Sequence, residues 1–395
     1  MKRRRIWLIA IFLFVMGDGL TLQTRGPLMR SFQAEFLVTE GLLGLVAPAG
    51  TVGFVVAVLV IGLLAGRINL KRWTLIGVGL TGVSLLLMSG APVYWLFLVF
   101  LVAQGTATGV FRGIDRPILS HLYPRHRGRA FMLHSLAWAV GAVFGPIFVN
   151  WILGWTSWRV TYLVLGLFFL PLFVLLWRVE LPTEVAAERD LSLEACRNLL
   201  REPVIVGMVL AIGFVGALEG IVFTWFPFYA SEFIPLDRAN LLLSVYLMAY
   251  IPSRICYSWL VGRVPSFVLV TILGACAVPV IFFMVSGITG VPLYLSVGLA
   301  GFFVAGFFPL ISTFGVDHAP EYSGPISAMA TAATYLGLAI GPLIIGFAAE
   351  TVGIVNAMRL TTMFAIGMTV VLVGTWLVER RLGRGIPRGS HVVEK

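Results

Sequence analysis

The chain has 395 residues, 59% of them hydrophobic and 12% charged, with a mean hydropathy of +0.97. A soluble fold has no core large enough to hide that much apolar surface, so the composition points to lipid as the solvent. The formal charge of +10 would suggest nucleic acid in a soluble protein; here the placement of the basic residues carries the information.

Apolar runs of roughly 20 residues, long enough to cross a bilayer as helix, recur along the chain. Spans are predicted at 6–29, 41–65, 73–91, 93–120, 130–153, 158–178, 203–230, 239–262, 266–287, 290–315, 324–348 and 354–378. The runs are continuously apolar, without the period-two alternation of a membrane β-barrel, and helices satisfy their own backbone groups in lipid. The first run has no small-residue cleavage site and reads as a retained span. The expected class is an all-α integral membrane protein with 12 transmembrane helices.

Charges inside spans are costly, about 2.5 to 3.5 kcal/mol each on insertion scales, and mark pathways or partners. The first span carries Asp18 and Arg25, seven residues and about 10 Å apart on one helix face, with Thr21 and Gln23 nearby. Asp18 is the proton-carrier candidate of this half, because taking up a proton removes a charge from the membrane interior. A permanent ion pair is the structural alternative.

The fourth span holds Gln104 and then Arg112, Asp115 and Arg116 at i, i+3 and i+4, so Asp115 can pair within its own helix while Arg112, the deepest, is the candidate for substrate. In the fifth span His134 reads more readily as a packing residue than as a proton shuttle, and Gly141-x-x-x-Gly145-Pro146 is a close-packing pattern.

A polar stretch over 179–202 then divides the spans six and six. Glu219 is the only ionisable residue of the seventh span and a second proton-carrier candidate, with Arg254 as a possible partner. Trp225 and Phe226, beside Pro227, read as interfacial belt residues, with a gate on the cavity as the alternative. Tyr246, Tyr250 and Arg254 step by four along the eighth span as a stripe able to cradle an anion. Cys196, Cys256 and Cys276 have no metal-like spacing, and neither a disulfide nor a zinc site is expected.

Landmarks repeat at an offset of 196 residues. Leu64-Ala65-Gly66-Arg67 returns as Leu260-Val261-Gly262-Arg263, Pro124 and Gly128 return as Pro320 and Gly324, and Gly141-x-x-x-Gly145-Pro146 returns as Gly337-x-x-x-Gly341-Pro342. Duplication accounts for three landmarks at one spacing. The expected organisation is two pseudo-symmetric six-helix bundles, 1–178 and 203–395 with a short basic tail, joined by a cytoplasmic linker at 179–202. Such halves rock about a midplane site in secondary transporters.

If the N-terminus is cytoplasmic, twenty of the 28 Lys and Arg fall on that side, while Arg30, Arg159, Arg238 and Arg359 fall outside. The positive-inside rule then puts both termini in the cytoplasm, in the plasma (inner) membrane, and leaves no need for nucleic acid.

On these motifs the whole chain resembles the major facilitator superfamily. The family's loop signature after the second span appears as Gly62-Leu63-Leu64-Ala65-Gly66-Arg67-Ile68-Asn69-Leu70-Lys71-Arg72, with Gly66 in place of an aspartate that latches the cytoplasmic side. The resemblance implies gating roles for Gly62, Arg67, Gly145, Pro146, Arg263, Gly341 and Pro342. Gln104-Gly105 is similar to the end of another family motif, but Leu101 stands where that motif has an arginine, so its proton relay does not carry over. Ser253-Arg254-Ile255-Cys256-Tyr257 resembles the stretch where oxalate and monocarboxylate carriers hold a substrate-binding arginine.

Together these readings lead to a secondary active transporter working by alternating access, moving a carboxylate-type anion with proton coupling. Arg25, Arg112, Arg254, Tyr246, Tyr250 and Gln23 are the expected substrate contacts, and Asp18, Glu219 and Asp115 the proton-coupling residues. The alternative is an exporter of amphiphilic drugs or lipid-like compounds. No His-Glu-x-x-His, Gly-x-Ser-x-Gly or phosphate-binding loop occurs, so neither an enzyme nor an ATP-driven pump is expected. No cofactor or metal is expected; the expected partners are a small-molecule substrate, protons and the lipid bilayer, with a monomer as the family default.

Overall fold

The computed structural model describes residues 2–64, 68–182, 197–261, 263–319 and 322–381. Among them are twelve helices long and apolar enough to cross a membrane: α1 (Arg3–Phe36), α2 (Glu40–Ile61), α3 (Leu70–Ser89), α4 (Tyr94–Leu122), α5 (Arg129–Leu153), α6 (Trp158–Arg178), α7 (Pro203–Ala230), α8 (Leu236–Leu260), α9 (Ser266–Met284), α10 (Val291–His318), α11 (Pro325–Val352) and α12 (Ile354–Arg381). All twelve predicted spans correspond to one of these. The chain divides into two compact units, Met1–Asp190 with α1–α6 and Leu191–Lys395 with α7–α12. Much of the predicted linker, 183–196 with Cys196, lies outside the described residues.

Helix α1 runs past residue 29, where the polar residues Arg30, Gln33 and Glu35 had marked its predicted end. The extra turns are held by neighbours. Gln33 Nε2 donates to Glu40 Oε1 at 3.0 Å, and Arg159 Nη2 reaches Glu35 Oε1 at 2.9 Å. Leu37, with φ of 53°, ends the helix in the left-handed region, and Thr39 caps the next helix by accepting from Leu42 N.

Small residues set the closest helix pairs. In the first unit α5 lies on α1, where Gly141 is against the carbonyl of Met16 and a Cβ on Gly145 would meet Leu20 O at 2.9 Å. In the second unit α11 repeats this on α7, with Gly337 against Gly213 O and a Cβ on Gly341 meeting Ala217 O at 2.6 Å. On the α2–α4 pair Gly105 lies against Gly50 O, and its repeat Gly301 lies against Tyr246 O between α8 and α10. The 196-residue repeat is therefore a repeat of backbone approaches, which only glycine permits.

Two spans of the second unit are broken. Helix α8 runs Leu236–Met248 and then Tyr250–Leu260, and α10 runs Val291–Val304 and then Phe307–His318. At the α10 break Gly306 N turns to Phe303 O at 3.3 Å. Ser253 Oγ and Tyr257 OH of α8 then donate to Phe302 O at 2.6 and 2.9 Å, so a carbonyl released from its helix is satisfied by the neighbouring span.

Candidate functional site

In the first unit, one face of α1 presents Asp18 and Arg25 to α4, as their spacing predicted. Asp18 Oδ2 is 3.8 Å from Arg112 Nε, and Arg25 Nη2 donates to Gln104 Oε1 at 2.9 Å. Gln104 in turn donates to Thr108 Oγ1 at 2.9 Å.

Arg112 belongs to a four-residue network. Its Nη1 lies 3.1 Å from Asp115 Oδ2, and His134 Nε2 of α5 is 2.7 Å from the same oxygen and 3.1 Å from Arg112 Nη1. Asp115 and His134 side chains are each 1% exposed, while Asp18 and Arg112 keep 14% and 15%. The substrate contact expected at Arg112 is thus accompanied by two carboxylates and an imidazole, and Arg116 stands exposed beside them. His134 is a member of this network and not only a packing residue.

The Arg25 guanidinium lies over Gly50 of α2, where a Cβ would meet Arg25 Cζ at 2.5 Å. It is 8% exposed, has no carboxylate within 4.0 Å among the described residues, and its buried Nε has no hydrogen-bond partner. Gln23 is fully buried against Gly145, and neither its Oε1 nor its Nε2 is bonded.

In the second unit Tyr250 OH donates to Glu219 Oε1 at 2.6 Å. Tyr246 and Tyr250 rings lie 5.6 Å apart, and Arg254 Cζ is 5.9 Å from the centre of the Tyr250 ring. The predicted stripe is therefore assembled despite the break at Ala249, but Tyr246 is 0% exposed and packs edge-on to Phe223. Arg254 is exposed and forms no ion pair with Glu219; the tyrosine takes that place.

Of the expected gating residues, Gly145 and Gly341 are packing contacts within their own units. Pro342 O accepts from Trp225 Nε1 at 2.8 Å, while Pro146 lies inside α5. Trp225 and Phe226, expected in an interfacial belt, are both 0% exposed inside the second unit, and the buried Trp225 N–H finds the acceptor it needs in the Pro342 carbonyl. Arg263 turns back on α8, donating to Trp259 O at 2.7 Å with its guanidinium 3.7 Å from the Trp259 ring centre. Gly62 lies near the end of the helix Val46–Leu64, and Arg67 lies outside the described residues.

Sequence reasoning missed Gly50, Gln104 and His134 as a set. The stripe Gly105, Gly109 and Gly113 on α4 was the available signal, since it brings α2 against α4 and makes room for the Arg25 guanidinium.

Twelve spanning helices in two units, with ionisable residues gathered inside the spans, define a multi-pass membrane transporter. The Major Facilitator Superfamily model matches residues 7–237, and the chain belongs to that family. It is 25% identical over 363 residues, 85% of each chain, to a Haemophilus influenzae protein named "Putative metabolite transport protein". Over 136 residues, 34% of this chain and 25% of the relative, it is 26% identical to a multidrug resistance protein B homolog of Mycobacterium tuberculosis.

Solved structures share the fold. A bacterial homolog of the human lysosomal transporter Spinster superposes with a TM-score of 0.81 at 14% identity, covering 96% of this chain and 98% of its own. A D-xylose-proton symporter gives 0.78 at 14% identity, covering 97% and 98%. The protein is an integral, multi-pass secondary transporter and not an enzyme.

Proposed function

We propose that this transporter carries a small carboxylate-type anion coupled to protons by alternating access, as a monomer in the plasma (inner) membrane with both termini cytoplasmic. The observation that carries the reading is Arg25: a guanidinium in the interior of a helix unit with, among the described residues, no carboxylate within 4.0 Å and one N–H unbonded. A cation so placed is expensive unless an anion arrives to share it. Arg254, exposed beside Tyr250, is the second anion contact. Arg112 serves the protonatable network of Asp18 and Asp115, and Glu219, held by a tyrosine, is the protonatable group of the second unit.

A second reading, export of amphiphilic compounds, draws on the partial similarity to the multidrug resistance protein B homolog. Thermal stabilisation of the purified protein separates the two. A ligand present at about 100 times its Kd stabilises by about 2.7 kcal/mol, so oxalate, lactate and succinate are compared with tetraphenylphosphonium. The anion reading expects a carboxylate to raise the melting temperature of the parent but not of Arg25→Gln. Stabilisation by the amphiphilic cation alone supports export.

A further inference from the structure

One helix contact places Arg25 from two sides. Gly105 lies against Gly50 O where α4 packs on α2, which sets Gly50 against the guanidinium and Gln104, the neighbour of Gly105, beside it. Gln104 is 2% exposed; its Oε1 accepts from Arg25 Nη2 at 2.9 Å and its Nε2 donates to Thr108 Oγ1 at 2.9 Å. Thr81 of α3 spends its one proton on Gly77 O at 2.7 Å, so the 3.5 Å contact between the two threonine hydroxyls runs from Thr108 to Thr81. Every donor in the chain Arg25, Gln104, Thr108, Thr81 therefore points the same way, from the guanidinium to a backbone carbonyl of α3. A guanidinium offers donors alone. The Gln104 amide must meet it with its oxygen, and the threonines behind take the nitrogen.

We propose that Gln104 is the positioning residue of the anion contact: it fixes the Arg25 guanidinium through an uncharged acceptor and so leaves the positive charge to the substrate. The inference rests on the reading of Arg25 as an anion contact and adds the residue that holds this contact ready. A carboxylate of the same reach would hold the guanidinium harder, by charge as well as by hydrogen bond, and would take up the charge that an incoming anion needs. An apolar side chain would leave the charge free but the guanidinium unplaced, with Nη2 losing the bond to Gln104 while Nε is already unbonded. An amide anchored from behind avoids both. Asp18, seven residues back on α1, acts on Arg25 from beyond 4.0 Å and does not replace that anchor.

The full-length protein is compared with Gln104→Glu and Gln104→Leu by thermal unfolding in detergent, without ligand and with oxalate, lactate or succinate over a range of concentrations. A hydrogen bond to a charged group is worth roughly ten- to hundredfold in an equilibrium. The carboxylate that stabilises the parent is therefore expected to bind Gln104→Glu about a hundredfold more weakly and Gln104→Leu about tenfold more weakly. Without ligand the order reverses, and Gln104→Leu melts below Gln104→Glu. A purely structural residue gives one order in both measurements, weaker binding following lower stability, and that result overturns the assignment. So does a Gln104→Glu protein that binds the carboxylate as the parent does. Either outcome leaves Arg25 standing as an anion contact. Where no carboxylate stabilises the parent, the anion reading falls, and a cycle with Arg25→Gln decides the positioning of Arg25 by itself. Gln104→Glu is then expected to lower the unliganded melting temperature far more in the Arg25→Gln background than alone, because its buried carboxylate has lost its cation. Gln104→Leu, which needs no cation to fold, runs the cycle the other way and costs less in that background than alone. Equal effects in both backgrounds overturn the assignment.

Discussion

Tyr250 holds Glu219. The phenolic hydroxyl donates at 2.6 Å to the one carboxylate of the α7 span, and no basic side chain lies within 4.0 Å of that carboxylate among the described residues. A hydrogen bond from a neutral donor can be made and broken as the carboxylate gains or loses its proton, whereas an arginine within contact distance would hold the group charged.

Tyr250→Phe removes that donor while keeping the ring against Tyr246 and Arg254. Hydrogen bonds to charged groups are worth about 1.5–3 kcal/mol, so pH-gradient-driven uptake into proteoliposomes is expected to fall about tenfold or more. Exchange of substrate across the membrane without a gradient should fall less.

Gly50 is a space for Arg25. A Cβ there meets the guanidinium carbon at 2.5 Å, so Gly50→Ala displaces the arginine or parts α2 from α1. The expected outcome is a loss of carboxylate-induced thermal stabilisation with the unliganded melting temperature also lowered. Adding Arg25→Gln should recover the unliganded melting temperature but not the ligand response, since the shorter side chain relieves the overlap and removes the cation.

The twelve spans and their duplication were legible because both rest on local features: apolar run length and Gly/Pro landmarks at one spacing. The same landmarks proved to be backbone contacts. What stayed hidden depended on tertiary partners. Gln33 and Glu35 look like loop residues until Glu40 and Arg159 are known to face them, so α1 was read seven residues short. Trp225 beside Pro227 has the pattern of a belt residue, and only the Pro342 carbonyl shows why it is inside. Asp18 and Arg25 were placed on one face by their spacing, but neither Gln104 nor His134 could be paired with them, because no periodicity within one helix reports which residue of another lies opposite.

Gly141 and Gly337 make equivalent approaches to Met16 O and Gly213 O. An alanine at either forces a methyl into a backbone carbonyl, and overpacking of this kind costs about 1–3 kcal/mol. Both variants are expected to lower the melting temperature by similar amounts in a thermal unfolding assay and to leave the pH dependence of the surviving transport unchanged. A changed pH dependence with intact stability would instead assign these glycines to coupling.

Arg159 ties three elements at one end of the first unit, donating to Ser89 O at 3.0 Å, Ala91 O at 2.8 Å and Glu35 at 2.9 Å while lying over Trp158. The fork geometry matters, so Arg159→Lys should lose most of the effect that Arg159→Ala loses. Glu35→Ala is expected to cost at most about 1 kcal/mol, because the pair is partly solvated with Glu35 at 42% exposure. Denaturation midpoints of the three variants in detergent check the order.

Proton flux tests proton-coupled carboxylate transport by this protein most directly. Proteoliposomes containing the full chain and a pH-sensitive dye are supplied with oxalate, lactate or succinate, with Glu219→Gln and Arg254→Ala alongside the parent. A carboxylate is expected to drive proton movement in the parent and in neither variant. Proton movement that follows only an amphiphilic cation and is indifferent to Arg254→Ala would contradict it.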